Sequence, residues 1–193
     1  MKTDTKKYVT LGVFFAVFVI LMVLLFTGGN EKTKKLSLPS IPDPDTSSEV
    51  TPEPKTITLY FPSEEDGLLH GEDREILSDS SLILEIKQTI EELLMGSDNG
   101  YVSPFPPESK LREVFMTEEG IVYVDFSREI QEEHLSGTTA EISTVYSVVN
   151  SLAFNFKSVK KVFILVDGNE KETLKGHVDI SRPLVPMYNL NSN

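Results

Sequence analysis

The chain of 193 residues contains no cysteine. That excludes a disulfide framework, thiolate metal ligands, a cysteine nucleophile and an acylated N-terminal cysteine. It also suits an oxidising compartment, where nothing in the chain could mispair. Histidine is scarce: only His70, His134 and His177 occur. None stands in the HxxxH or HExxH spacing that brings two ligands to one metal. There is no GxSxG elbow for a serine nucleophile and no glycine-rich loop to cradle a phosphate. Positive charge is short as well, with 18 Lys and Arg against 30 Asp and Glu, a net charge of −12. Up to Lys55 seven Lys nearly balance six acids; from Thr56 onward eleven basic residues face twenty-four acids, so the body alone carries −13. A field of that sign repels phosphate backbones, and no nucleic-acid partner is expected.

What the N-terminal part does have is a long apolar run. Tyr8 to Phe26, "YVTLGVFFAVFVILMVLLF", holds no charged residue. As a helix it would be about 28 Å long, close to the roughly 30 Å hydrocarbon core of a bilayer. It is apolar on every face and precedes a Pro-rich stretch, which argues against a helix inside a globular core. A cleaved signal peptide is the competing reading. Its apolar region is normally about 7–15 residues and ends at a small-x-small site, and Thr27-Gly28-Gly29 is a poor one. The run is therefore read as a retained single-pass anchor, with residues 1–29 as cytoplasmic tip and membrane span. Lys6 and Lys7 on one side and Lys32, Lys34 and Lys35 on the other nearly tie the positive-inside count. The short basic leader favours a cytoplasmic N-terminus, which puts the C-terminal domain outside the cytoplasmic membrane.

Residues 30–55 contain five prolines and almost no large apolar side chains. Such a segment cannot bury enough surface to offset the entropy of ordering it. It reads as a disordered linker reaching on the order of 80 Å if fully extended, nearer 30 Å as a coil.

The body, residues 56–187, has the alternation of a mixed domain, followed by a tail at 188–193. Thr56–Phe61, "TITLYF", opens it as a strand, and the segment from Gly67 adds a second short one. Ser81–Met95 carries Leu82, Ile83, Ile86, Ile90, Leu93 and Leu94 at helical spacing, with Glu85, Lys87, Glu91 and Glu92 largely opposite and Gly96 as the stop. Pro104, Pro106 and Pro107 make the next stretch a loop. Leu111–Met116 and Ile121–Phe126 form a hairpin around Thr117–Gly120. Thr138–Phe154 is a second helix, Thr138 and Glu141 fitting a capping box, with Ile142, Val145, Tyr146, Val149, Leu152 and Ala153 as its core stripe. Val162–Val166 is a buried strand, and Thr173–Val178 is expected as its antiparallel partner across the Asp167-Gly168-Asn169 turn. The fold class that follows is α+β, with two helices on one face of a mainly antiparallel sheet.

Asp167, His177 and Asp179 are the residue types of a hydrolase corner, but the turn chemistry between them makes them the ends of a hairpin. Asp125, at the end of an apolar strand, is the best single candidate for a perturbed carboxyl; its ordinary role is to cap the Ser127-Arg128 turn. Ser103, Ser127 and Ser136 sit in turns, where serine is common. Glu64-Glu65-Asp66 and Glu72-Asp73 lack the order of a calcium loop. No catalytic, cofactor-binding or metal-ligating residue is assigned.

Several segments, in order, resemble the GerM domain, the sporulation and spore germination domain: "TITLYFPS", "LLMGSDNGYVSPFPPESKL", "GIVYVDFSREI", "VYSVVNSLAFNFKSVKKVFILVDG" and "LKGHVDISRPL". The resemblance runs from Thr56 to about Pro186. Ser97 stands where the family commonly has proline, and Ser151 where threonine is frequent. The resemblance implies an outward-facing, membrane-anchored or lipidated protein, no enzymatic activity or cofactor, and likeness to the ring-building modules of secretion-type assemblies. The expected partners are envelope proteins or further copies of the domain, with the bilayer held through residues 8–26. The alternatives from another class are a cell-wall glycan hydrolase built on paired carboxylates and a small-ligand or cation-binding domain.

Overall fold

The computed structural model describes residues 53–192. The expected anchor at residues 8–26 lies outside them, as does the linker up to residue 52. Among the described residues no helix is long and apolar enough to cross a membrane.

The fold is α+β. Strand β1 (Pro54–Pro62) pairs antiparallel with β2 (Leu69–Leu77) along its whole length, from Pro54 opposite Leu77 to Pro62 opposite Leu69. Strand β1 thus takes Pro54 and Lys55 from the expected linker. Helix α1 (Leu82–Met95) follows, then the hairpin of β3 (Leu111–Met116) and β4 (Ile121–Phe126). Its loop has a specific need for glycine: Gly120 has φ +85°, and a Cβ there would stand 2.4 Å from the Ser158 carbonyl oxygen. A one-turn helix α2 (Glu129–Glu132) leads to α3 (Thr138–Asn155) and the crossover to β5 (Lys161–Val166), which lies parallel to β4. A tight turn through Asp167 (φ 54°) and Gly168 (φ 76°) then returns to β6 (Asn169–Glu170). Two successive positive φ values are what a two-residue hairpin loop requires.

The structure corrects the expected architecture in four places. First, there are two sheets, β1-β2 and β3-β4-β5-β6, rather than one. Helix α3 lies against β1 of the small sheet and β5 of the large one, while α1 touches β1 and β2, β3 and α3. The outer edge of β1 needs no strand beside it because α3 supplies side chains in its place. The Thr58 N–H donates to Asn155 Oδ1 at 2.9 Å, Asn155 Nδ2 donates to the Thr58 carbonyl at 2.7 Å, and the Tyr60 N–H donates to Ser151 Oγ at 3.0 Å. The Pro62 carbonyl accepts from Val102 N–H at 3.0 Å.

Second, the Thr138–Glu141 capping box does not form: the N-cap is Gly137 and makes no side-chain bond. Glu141 is fully buried and turns to the segment after β6, accepting the N–H groups of His177 and Val178 at 3.1 Å each. Third, and for that reason, Thr173–Val178 is not a strand. Its His177 and Val178 amides are engaged by a carboxylate instead of a ladder, and β5 is paired on that side by the two-residue β6 and by a single bridge from Val162 to Leu184. Fourth, the tail at 188–193 is docked as far as it is described. Tyr188–Leu190 makes a 3-10 turn, and the Ser192 N–H donates to the Leu69 carbonyl.

The core runs through both layers: Leu59 and Phe61 from β1, Ile86 and Ile90 from α1, Val122 and Val124 from β4, Val149 and Leu152 from α3, and Ile164 from β5 are all completely buried. The expected stripe on α3 is core at Val145, Tyr146, Val149 and Leu152. Unexpectedly, every residue from Ser143 to Leu152 is buried.

Candidate functional site

Among the described residues a groove of about 830 Å³ opens at one end of the fold. Three segments wall it: the β1–β2 turn at Pro62–Gly67, the Pro-rich loop at Val102–Pro107 and the Glu133–Ala140 approach to α3. Each wall is held by identifiable bonds. The turn is closed by Ser63 N–H to Leu68 carbonyl at 2.9 Å and Gly67 N–H to Ser63 carbonyl at 3.0 Å. The loop is fixed by the Val102 bond to β1 and by Phe105, 5% exposed, whose ring packs 6.0 Å from that of Phe126. The third wall hangs on His134. Its Nε2 lies 2.7 Å from Thr144 Oγ1 and its Nδ1 2.6 Å from the Leu135 carbonyl, and Thr144 in turn donates to the Pro104 carbonyl. His134 is thus a structural residue joining two walls. Both Ser103 and Ser136, ordinary turn serines by sequence, line the groove.

The carboxylates that sequence reasoning singled out go elsewhere. Asp125, 6% exposed, does not line the groove. It does not cap the Ser127-Arg128 turn either, since Ser127 is paired with Lys110 through both its N–H and its hydroxyl. Instead Asp125 Oδ1 accepts the Gly168 N–H at 2.8 Å, reaching across the parallel β4–β5 pair to the next turn. Asp167 is held by Arg112 and Arg128, and Arg112 Nε also stands 3.5 Å from Asp125 Oδ2. His177 Nδ1 is 2.7 Å from Glu141 Oε1. Asp179 is engaged by the Ser181 hydroxyl and by Arg182, which with the Ser181 N–H bring its carboxyl down to about 2. Asp167, His177 and Asp179 therefore belong to three separate networks.

Glu72 and Asp73 do not cluster, because neighbours on a strand face opposite ways. Glu72 is 3% exposed and accepts from Ser97 Oγ and the N–H groups of Asp98 and Asn99, with Arg74 beside it; Asp73 is exposed. Burial pushes the Glu72 carboxyl up, but Ser97, the Asp98 N–H, Arg74 and the Asn99 N–H together hold it below its ordinary value. Glu85, expected on the solvated face of α1, is buried between Lys55, Ser78 and the Asp79 N–H, and these bonds likewise outweigh its desolvation. Among the described residues no group of three His, Asp or Glu is placed to hold a metal ion.

The family model for sporulation and spore germination, Germane, matches residues 58–172. The chain belongs to this family. Its fold is shared with the tandem GerMN domains of the sporulation protein GerM from Bacillus subtilis (TM-score 0.54, 20% identity, 81% of this chain and 51% of that one). The first GerMN domain of the same protein aligns over 68% of this chain and 97% of its own length, with a TM-score of 0.53 and 22% identity. The chain thus spans about half of the tandem structure and nearly all of the single domain. A structure described as a lipoprotein from Clostridium perfringens aligns over 72% of this chain and 94% of that one, at 26% identity and a TM-score of 0.49. No curated protein matches the sequence.

Proposed function

We propose that the chain is a non-catalytic assembly or protein-binding module of the cell envelope, held on the outer side of the cytoplasmic membrane by residues 8–26 and spaced from it by the Pro-rich linker. The observation that carries this reading is the division of labour among the polar side chains. Glu72, Asp125, Glu141 and Asp167 each tie separate chain segments together and His134 joins two walls of the groove, while the groove keeps apolar walls from Pro62, Val102, Phe105 and Leu135. Concave apolar surface with few polar groups is what binding sites are made of. Family membership points the same way, as an expectation drawn from the resemblance. The glycan-hydrolase reading has lost its best residue to a structural bond, and the cation-binding reading has no favouring observation.

Two measurements test it. The full-length protein should stay with membranes after an alkaline carbonate wash, and the body should be cut by protease added outside sealed, right-side-out cells. A photo-crosslinker placed at Leu135, which is 78% exposed at the groove, should give discrete adducts with envelope proteins or a second copy. Recovery in the soluble cytosolic fraction, or turnover of cell-wall glycan by the purified chain, would overturn the proposal.

A further inference from the structure

Three places in the sequence put glycine directly after an aspartate or asparagine: Asp66-Gly67, Asn99-Gly100 and Asp167-Gly168. In such a pair the glycine amide nitrogen, unshielded by a Cβ, lies next to the carbonyl carbon of the preceding side chain. A nucleophile held that close has a large advantage over one in solution. Whether the pair reacts depends on whether the nitrogen and the carbonyl are free. At both aspartates they are taken. The Gly67 N–H donates to the Ser63 carbonyl at 3.0 Å, and Asp66 Oδ1 accepts the Leu68 N–H, also at 3.0 Å. His70 Nε2 stands 2.9 Å from Asp66 Oδ2. Leu68 and His70 hold this carboxyl below its ordinary value, in the ionised form that resists attack. The Gly168 N–H donates to Asp125 Oδ1 at 2.8 Å, and Arg112 and Arg128 pair with the Asp167 carboxylate.

Asn99-Gly100 differs on every count. The turn around it is pinned: the Asp98 N–H donates to Glu72 Oε1 at 3.0 Å, and the Tyr101 N–H to Ser97 Oγ at 3.2 Å. The Asn99 N–H is shared between Glu72 Oε2 at 3.2 Å and Ser97 Oγ at 3.1 Å. These bonds skip Gly100, whose N–H makes no hydrogen bond among the described residues, and they skip the Asn99 carboxamide as well. Both residues are exposed, and a Cβ built on Gly100 would meet nothing within 4 Å. The carboxamide is neutral, so no charge opposes attack on it. Asn99 is also the one asparagine in the sequence that glycine follows. We infer that Asn99 is a site of self-modification. Gly100 N attacks Asn99 Cγ and forms a C–N bond, while the amide proton and the side-chain NH2 leave together as ammonia. Water then opens the five-membered imide at either carbonyl, leaving aspartate or isoaspartate at position 99. Either product sets a new carboxylate beside Glu72 and Asp98, where Arg74 already serves Glu72, Glu92 and Asp98. Isoaspartate also lengthens the main chain by one atom ahead of Gly100. That strains the Tyr101 bond to Ser97 and the Val102 bond to Pro62, which fixes a wall of the groove. The inference stands whatever the groove binds.

The test incubates the freshly purified full-length chain in warm, neutral buffer made with heavy-oxygen water, then digests it in ordinary water for tandem mass spectrometry. Each passage through the imide leaves one heavy oxygen in the product. Residue 99 should become a labelled acid, largely isoaspartate, about tenfold or more faster than any other described asparagine. Asp66 and Asp167 should take up no label while the chain is folded. In urea both should begin to, because the bonds that shield them are gone, whereas the rate at Asn99 should change by no more than a few-fold. Asn99→Gln should abolish the conversion and leave the melting temperature of the fresh protein unchanged. In the aged protein the amide protons of Tyr101 and Val102 should exchange faster than in the fresh one. An Asn99 that stays an amide in the folded chain would overturn the inference, whether or not it converts in urea. So would label entering Asp66 or Asp167 of the folded chain as fast as it enters Asn99. Unchanged exchange at Tyr101 and Val102 after full conversion would overturn the consequence for the groove wall and leave the modification standing.

Discussion

Helices α1 and α3 brace the same two-stranded sheet from its opposite edges, and they do so with the same chemical group. On the β2 side, Gln88 accepts the Leu77 N–H at 2.9 Å and donates to the Leu77 carbonyl at 3.0 Å. On the β1 side, Asn155 makes the equivalent pair of bonds to Thr58 and adds a third to the Ser151 carbonyl at 2.8 Å. In each case a carboxamide stands where a neighbouring strand would have been. The surroundings differ. The Gln88 bonds lie at an exposed strand end, so water stands ready to replace them; the Asn155 bonds are partly buried and continuous with the buried Ser151–Tyr60 bond. A hydrogen bond that water can replace contributes little, whereas a donor or acceptor left alone inside costs its full desolvation. The pairing chemistry is shared, and burial decides what it is worth.

The sharpest way to break this comparison is Asn155→Ala. It leaves both backbone groups of Thr58 without a partner and deletes the brace next to Ser151. The expected loss is about 2–4 kcal/mol of stability, read by equilibrium unfolding followed by circular dichroism. A loss of a few tenths would mean that water reaches the β1 edge and that the two helices are equivalent after all.

Helix α1 was legible in the sequence and α3 only half so, for a reason visible in their residues. On α1 the polar face carries Lys87, Glu91 and Glu92, and charges mark a face as solvated. From Ile142 to Asn155 α3 has no charged residue at all. Its apolar stripe is legible at helical spacing, but Ser147, Asn150, Ser151 and Asn155 form a second stripe that no charge marks. An uncharged polar stripe on a helix is a sign of burial against backbone. Three of these four side chains bind distant main chain: Ser151 and Asn155 hold β1, and Asn150 holds the tail by donating to the Met187 carbonyl and accepting its N–H. The hairpin of β3 and β4 could be read to the residue because its signals are local, a polar loop ending in glycine between alternating strands. The capping box failed because Thr-x-x-Glu is equally local but has a stronger competitor: two amides and an imidazole thirty-six or thirty-seven residues away. The groove itself was invisible, since its three walls come from separate parts of the chain.

That competitor gives the second prediction. Burial raises the Glu141 carboxyl, but His177 and the N–H groups of Val178, Lys175 and His177 outweigh it, so the folded value lies below the ordinary 4.5. The ionised form is the one the fold favours. Its contribution is therefore complete above the unfolded value and is lost as pH falls through the folded one. Glu141→Gln should cost about 1–3 kcal/mol near neutral pH, because an amide cannot accept several N–H groups without turning its own donors toward them. The gap between the two proteins should close as the pH falls below the ordinary carboxyl value of 4.5 and through the lower folded one. Glu72 and Glu85 are shifted in the same direction, so both proteins weaken in acid, and the difference between their unfolding curves isolates Glu141. A gap independent of pH would assign the loss to packing instead of charge. Faster hydrogen exchange at His177 and Val178 in the variant, with β1 unchanged, would place the effect in the segment that Glu141 holds.

The smallest effect is expected from Gln88→Ala. Removing this carboxamide frees the Leu77 N–H and carbonyl to bind water at an exposed strand end, and alanine is a slightly better helix former than glutamine. The two changes oppose each other, and the net loss should be no more than about 0.5 kcal/mol. Moving the same chemistry inward sharpens the point. If burial governs the outcome, Asn155→Ala combined with Gln88→Ala should cost about the sum of the single changes, because the two clamps sit on different strands and share no partner. A combined loss well beyond that sum would mean that the small sheet is stable only while clamped at both edges, and that the exposed carboxamide matters once the buried one is gone.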